Sequence, residues 1–395
     1  MTSDDVHAAF AELAWPRGKQ VGELAPHLER LAALARRRGA TELAELAEQV
    51  VRDPDSPDRL YDLGYALIDA GAPEIAASVL WRCLALVGDS EEVVCELVSA
   101  LESALAYGDA LAILDAHASL RARSFLCRYL YAFDAAMTAR LDVARAQLPA
   151  LEPDGPDQEV MRATIAGMLA RADRVAGACP LDRADLRGWH YVLTGGVLLH
   201  QSPYGFDGPM RGRYAWLHDS LSRIATGLDR VAALVEAAPP PCVYAPPGPH
   251  HESVAHAAAA RLGLALAPWP AVGTPAPGLI VAYDLDAVAP GELARIAQRR
   301  DGQVFFAHAC PWTHDSPVAP DVATLLYQSL QPPWPDAGDP GERALEILAS
   351  PRLDLDELAA DEPERYAALV ARAWPHPPGP RSRLWGGGPV PSNRF

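Results

Sequence analysis

The sequence predicts a multidomain protein of α and α/β class, in which a helical solenoid precedes a largely parallel α/β domain. Two patterns favour this class. Small and apolar residues recur about every 34 residues in the first half, and apolar strand-like runs alternate with helical patterns in the second. The predicted domains are a helical repeat domain with a capping helix (1–178), an aromatic-rich connecting segment and helix (179–240), the α/β domain (241–378) and a flexible tail (379–395).

Composition and charge limit the classes of function. Of the 395 residues, half are hydrophobic and 22% are charged, which is typical of a folded globular protein rather than a disordered chain. The formal net charge is -17, and the basic residues are scattered along the chain. Because nucleic-acid binding needs a concentrated basic surface, no nucleic-acid partner is predicted.

The chain is expected to be cytoplasmic. Its first residues, MTSDDVHAAF, lack the cationic and apolar stretches of a signal peptide. No apolar run approaches the ~20 residues of a membrane helix, so no membrane association is predicted. The cysteines lie far apart without a CxxC pair, which favours reduced, buried thiols over a disulfide framework.

The repeat begins in the segment DRLYDLGYALIDAGAPEIAASVL. Apolar residues three or four apart form one face of its first helix, and a small residue in the second helix lets the two backbones approach closely. The same positions recur in two further units. They are Leu60, Leu63, Leu67, Gly71, Ala76 and Leu80; then Val94, Leu97, Leu101, Leu105, Ala110 and Leu114; then Arg128, Tyr131, Ala135, Ala139, Ala144 and Leu148.

This pattern resembles the tetratricopeptide repeat family over residues 56–156. Two positions depart from it: Val98 stands at the position equivalent to Gly64, and the third unit begins with Arg128. The resemblance implies a stack of helical hairpins that binds a protein or peptide on a concave surface. The helix DQEVMRATIAGMLARADRVAGA is expected to cap the stack. The alternative is that these helices only pack against the rest of the chain.

The segment 185–219 is dense in aromatic residues, histidine, arginine and glycine. Such residues combine flat apolar area with directed hydrogen-bond donors, a composition favoured at binding surfaces. We expect the segment to lie between the two halves and to fix their orientation. A binding surface is the alternative.

An alternation of strands and helices follows the prolines at 239–241. CVYA, LALAPW, GLIVAYDL and QVFFAHA are predicted strands, and SVAHAAAARLG and GELARIAQRR are predicted helices. Fully apolar strands separated by helices predict a sheet that is covered on both faces and largely parallel. Sites in such sheets lie at the carboxyl ends of the strands, here in the loops 245–253, 284–290 and 308–315.

These loops supply the candidate ligand-binding residues, which are Gly248, His250, His251, Ser253, Asp284, Asp286 and His308. The first loop leads into a helix, whose free N–H groups favour a small anionic ligand. The alternative is a simple turn. Neither GxGxxG nor GxxxxGK[ST] is present, so neither nucleotide-binding fingerprint applies, and the cofactor is left unassigned. No catalytic residue is assigned.

A metal site is an open alternative, with His251, Glu252, His256, His308 and Cys310 as conceivable ligands. It is not predicted, because His251 and His256 are five residues apart, whereas zincin histidines four apart share a helix face.

The strand and loop LIVAYDLDAVAPG, and the order of strands around it, resemble the phosphoribosyltransferase fold. Tyr283 and Asp284 stand where that family has paired acids, and residues 289–291 lack its phosphate-binding threonines. Two functions are therefore considered. The first is an adaptor that binds a protein partner through the helical repeats. The alternative, which this resemblance implies, is an enzyme whose α/β domain binds a small anion and is scaffolded by the repeats.

Overall fold

The computed structural model describes residues 10–204, 210–334, 338–375 and 379–393. The chain divides into two compact units, residues 1–165 and residues 166–395. Helices make up the first unit, and a parallel sheet with helices makes up the second, so the predicted fold class is confirmed.

Unit 1 is built from consecutive antiparallel helix pairs. Its helices are α1 (Ala25–Arg37), α2 (Thr41–Arg52), α3 (Pro57–Asp69), α4 (Pro73–Val87), α5 (Glu91–Ser103), α6 (Tyr107–Ala116), α7 (Ala118–Arg123), α8 (Phe125–Met137), α9 (Leu141–Gln147) and α10 (Pro156–Val175), which runs across the boundary into unit 2. The pairs α1–α2, α3–α4, α5–α6 and α8–α9 pack in sequence order.

Small residues allow the paired helices to pack closely. Ala76, Ala110 and Ala144, each in the second helix of its pair, are fully buried. At Gly64, an added Cβ would lie 2.5 Å from Cγ of Leu80. The Leu80 side chain of α4 therefore packs directly against the backbone of α3. The structure therefore contains the helical repeats that the period of the sequence predicts.

Unit 2 contains α11 (Leu186–Thr194), β1 (Val197–Leu198), β2 (Tyr214–His218), α12 (Leu221–Val235), β3 (Val243–Tyr244), α13 (Pro249–Leu262), β4 (Gly278–Asp284), α14 (Pro290–Ala297), β5 (Gln303–Pro311), β6 (Val322–Gln331), α15 (Pro340–Ala349) and α16 (Pro363–Ala373). The predicted strand 264–269 is reduced to a bridge at Leu266. Pro268 and Pro270 follow this bridge, and proline has no N–H to donate to a ladder.

Every strand pair in the described part of the sheet is parallel, in the order β1–β6–β5–β4–β3. β1 pairs with the beginning of β6 and β2 with its end, so the two short strands share one edge. From β3 the chain passes outward to Leu266 and then returns to β4 on the other side of β3. This reversal is a topological switch point, where open parallel sheets bind ligands outside the carboxyl ends of their strands.

Two segments assigned outside the α/β domain contribute to unit 2. Residues 179–240 supply α11, β1, β2 and α12. In the tail, the backbone of Leu384 pairs with Ser316, and the buried guanidinium of Arg381 contacts the Asp321 carboxylate at 3.0 Å.

Candidate functional site

The first strand-end loop is held by its own side chains. Gly248 has φ +144°, and an added Cβ would lie 2.8 Å from the His251 ring, so only glycine fits without strain. The Ser253 hydroxyl donates to the carbonyl of Pro249 at 2.9 Å and is buried. These contacts fix the path from β3 into α13.

His251 joins this loop to the loop after β4. The backbone N–H of Tyr283 donates to Nδ1 of His251 at 3.1 Å, which places the ring proton on Nε2, opposite the carbonyl of Ala287 at 3.4 Å. Burial lowers the pKa of His251 to about 4. The ring is therefore a neutral link between two loops at the switch point.

Beneath these loops lies a buried polar cluster around Asp219. Its carboxylate accepts from Arg223, from the Tyr283 hydroxyl and from Nε2 of His308, each at 3.1 Å. Burial raises the pKa of Asp219, but His308 and Arg223 outweigh it and hold the value below the usual range. His308 and Asp219 are fully buried. They therefore stabilise the carboxyl ends of the strands from within the core and do not face solvent.

Tyr283 contacts three of the seven predicted ligand-binding residues, His250, His251 and His308. Its ring stacks on His308 with centroids 5.8 Å apart and lies 6.1 Å from His250 and 5.3 Å from Trp334. Trp334 Nε1 donates to Nδ1 of His250 at 2.6 Å. Sequence reasoning missed Asp219, Arg223 and Trp334 as site residues, because they lie outside the strand-end loops and reach them only through the fold.

The groups that solvent reaches at this edge are acidic or titratable. The Asp286 carboxylate accepts from Nε2 of His314 at 2.8 Å, and both side chains are 47% exposed. The Tyr327 hydroxyl donates to Asp284 at 2.6 Å. Burial outweighs this hydrogen bond and raises the pKa of Asp284 to about 6. At the carboxyl ends of the strands, the exposed Asp286–His314 pair therefore lies beside Asp284, whose pKa is about 6.

The residues named as conceivable metal ligands do not converge. His251 is buried in the loop link, whereas Glu252 and His256 are exposed on α13, and Cys310 is buried in β5. Within residues 10–204, 210–334, 338–375 and 379–393, no group of three or more His, Cys, Asp and Glu side chains is arranged to hold a metal ion.

A cavity of about 550 Å³ lies at the amino ends of β4 and β5, whereas the strand-end loops lie at the carboxyl ends of the strands. Its lining includes the prolines at 239–241, Pro277, Trp374 and residues 299–304. It is remote from the strand-end loops and brings together none of the predicted ligand-binding residues.

A second candidate surface lies on unit 1, across α3 and α5. We call it the tyrosine face and define it as Tyr61, Tyr65, Asp69, Glu92 and Glu96. Tyr65 is 51% exposed. Burial raises the pKa of Tyr61, and the neighbouring Glu96 and Glu92 raise it further. Burial and Asp69 raise the pKa of Glu96. Negative charge and aromatic rings therefore adjoin on one face of the repeats.

In the described residues, no helix is both long and apolar enough to cross a bilayer. The chain matches no known family model, and no curated protein matches it significantly. The resemblances to tetratricopeptide repeats and to phosphoribosyltransferases accordingly rest on the residues that carry them.

Proposed function

We propose that this protein is a tetratricopeptide-like adaptor that binds a basic segment of a protein partner on its tyrosine face, with an appended α/β domain. The observation that carries the proposal is the juxtaposition of an exposed tyrosine and acidic side chains on the first helices of two successive hairpins. Helical stacks of this kind offer extended surfaces to peptides.

Charge favours a cationic partner. α3 and α5 together contain seven acidic residues and one basic residue, Arg59, which pairs with Asp53 at 3.2 Å. Burial raises the pKa values of Tyr61 and Glu96, and neighbouring acids raise them further, so added negative charge is unfavourable there. A bound lysine or arginine would relieve that cost.

The aromatic rings favour arginine over a bare charge. A guanidinium stacks on a tyrosine face while its N–H groups reach neighbouring carboxylates. Tyr65, with Glu92 and Glu96 nearby, offers both kinds of contact. The partner segment is therefore expected to contain arginine.

The test is fluorescence anisotropy of the full chain with a labelled arginine-rich peptide and with a peptide in which glutamate replaces each arginine. We expect the basic peptide alone to bind, and Tyr65→Ser or the pair Glu92→Gln and Glu96→Gln to weaken binding about tenfold, equivalent to ~1.4 kcal/mol. Binding should weaken as salt rises.

The matched control is the pair Glu42→Gln and Glu45→Gln, which removes two exposed acids from α2. If this control weakens binding as much as the tyrosine-face pair, attraction is only to the net charge of the chain. No binding of the basic peptide, or equal binding of the acidic one, would contradict the proposal.

The second candidate function is an enzyme whose α/β domain, phosphoribosyltransferase-like or otherwise, binds a small anion. The accessible Asp286–His314 pair beside Asp284 at the switch point favours it. Because Asp284 loses its charge below a pKa of about 6, an anion should bind more tightly as the pH falls through that value.

A thermal-shift screen of the full chain with sugar phosphates and nucleotides at pH 5.5 and 7.5 tests this candidate. We expect a larger shift at the lower pH, and His314→Ala should reduce it by removing a group that is cationic when protonated. His256→Ala, exposed on α13, is the control. A shift that is the same at both pH values and in both variants would place the ligand elsewhere.

A further inference from the structure

Two cysteines meet between successive repeats of unit 1. Cys95 in α5 is partly exposed, Cys127 in α8 is buried, and their Sγ atoms are 3.6 Å apart although 32 residues separate them. Disulfide sulfurs lie about 2 Å apart, so closure needs the two sulfurs to approach by about 1.5 Å.

Neighbouring contacts hold the two helices in this arrangement. Ser124, which caps α8, accepts from the backbone N–H of Cys127 at 3.2 Å and donates its hydroxyl proton to Glu91 of α5 at 2.6 Å. Seven residues further along each helix, Glu102 of α5 lies beside Asp134 of α8. Contacts between α5 and α8 on both sides of the cysteines thus keep the two sulfurs close together.

The environment divides the roles of the two thiols. Cys127 lies in the first turn of α8, where free N–H groups favour a thiolate. The hydrogen bond from Cys95 lowers the pKa of Cys127 to about 7 against the effect of burial, and the same bond raises the pKa of Cys95. By contrast, burial raises the pKa of Cys83 to about 11 and that of Cys179 to about 12.

We propose that Cys95 and Cys127 form a peroxide-sensitive dithiol whose oxidation bridges α5 and α8. The proposed oxidation does not depend on the proposed binding of a basic partner. Hydrogen peroxide approaches from the partly exposed side of Cys95. The Cys127 thiolate attacks one peroxide oxygen, the O–O bond breaks, and hydroxide leaves, so that Cys127 becomes a sulfenic acid.

The second step closes the bridge. Hydroxide takes the proton of the Cys95 thiol, giving water, and the Cys95 sulfur attacks the sulfur of Cys127. The S–S bond forms as the S–O bond breaks, and the departing hydroxide takes up a proton from solvent to become a second water. Two thiols are oxidised and one peroxide is reduced to two waters.

The experiment treats the reduced full chain with hydrogen peroxide, alkylates the remaining thiols and maps the peptides by mass spectrometry. We expect a Cys95–Cys127 linkage, formed faster at pH 8 than at pH 6, and reversed by dithiothreitol. In Cys95→Ser, dimedone should trap a sulfenic acid on Cys127 at least about tenfold faster than on Cys83. Cys83→Ser is the control and should keep the linkage.

The proposal is overturned if Cys95 and Cys127 stay open to alkylation while Cys179 or Cys242 is oxidised, or if the linkage joins other cysteines. It is also overturned if Cys127 in Cys95→Ser reacts no faster than Cys83. Should that variant fail to fold, peptide mapping of the unsubstituted chain decides alone.

Discussion

At the scale of single residues, the buried charge of Asp361 is compensated by several partners. Its buried carboxylate accepts from Arg187 at 2.8 Å, from His200 at 3.0 Å and from the N–H of Gln201 at 2.7 Å, and it pairs with Arg230 at 2.7 Å. These contacts tie the turn before α16 to the segment that follows β1. A buried carboxylate is tolerated only when it is paired and hydrogen-bonded in this way.

We predict that Asp361→Asn destabilises the fold by about 3–5 kcal/mol, because the buried cations lose their counter-charge. His200 and the arginines outweigh burial and lower the pKa of Asp361 to about 2. Since the unfolded value is higher, at ~3.9, this stabilisation is complete above pH 4 and is lost as the pH falls towards 2.

Denaturant unfolding at pH 7 and at pH 3 measures both effects. Asp356→Asn, an exposed change nearby, is the control and should shift the free energy of unfolding by no more than about 0.5 kcal/mol. Equal effects of the two substitutions would mean that the Asp361 contacts contribute nothing particular to stability.

At the scale of elements, the helix pairs depend on small residues at the contact. Ala76 is fully buried in α4, and the facing helix α3 carries Gly64 opposite Leu80. Close-packed interiors accept extra methylenes only by displacing neighbours. The same requirement explains the alanines at the equivalent positions of the later pairs.

We predict that Ala76→Leu lowers the free energy of unfolding of unit 1 by about 1–3 kcal/mol through overpacking. Ala85→Leu, exposed on the same helix, should change it by less than about 0.5 kcal/mol. Chemical denaturation followed by circular dichroism at 222 nm distinguishes them. Comparable losses for the two variants would show that the α3–α4 contact is not the cause.

At the scale of the whole molecule, local patterns were sufficient for the helical half. Residues three, four and seven apart define each helical face, and prolines at the starts of α3 and α4 mark where helices begin. The strands β4 and β5 were also predictable, since each is a long apolar run bounded by turns.

Of the other strands, only β3 was predicted, within CVYA, whereas β1, β2 and β6 were not. β1 and β3 are two residues long, and β2 and β6 pair across more than a hundred residues of sequence. The predicted loops do follow the carboxyl ends of β3, β4 and β5. The contacts of Asp219 and Asp361 were not foreseeable, because their partners lie up to 174 residues away. Long-range pairing is set by the fold rather than by spacing.

The central claim is that a basic segment binds on the tyrosine face, and zero-length carbodiimide coupling tests it most directly. Coupling joins a lysine amine of a bound basic peptide to a carboxylate in contact with it. With the full chain and an arginine- and lysine-containing peptide, we expect cross-links at Glu92, Glu96 and Asp69. Excess salt should abolish these cross-links. Cross-links spread over exposed acids of both units, or concentrated at Asp284 and Asp286, would contradict it.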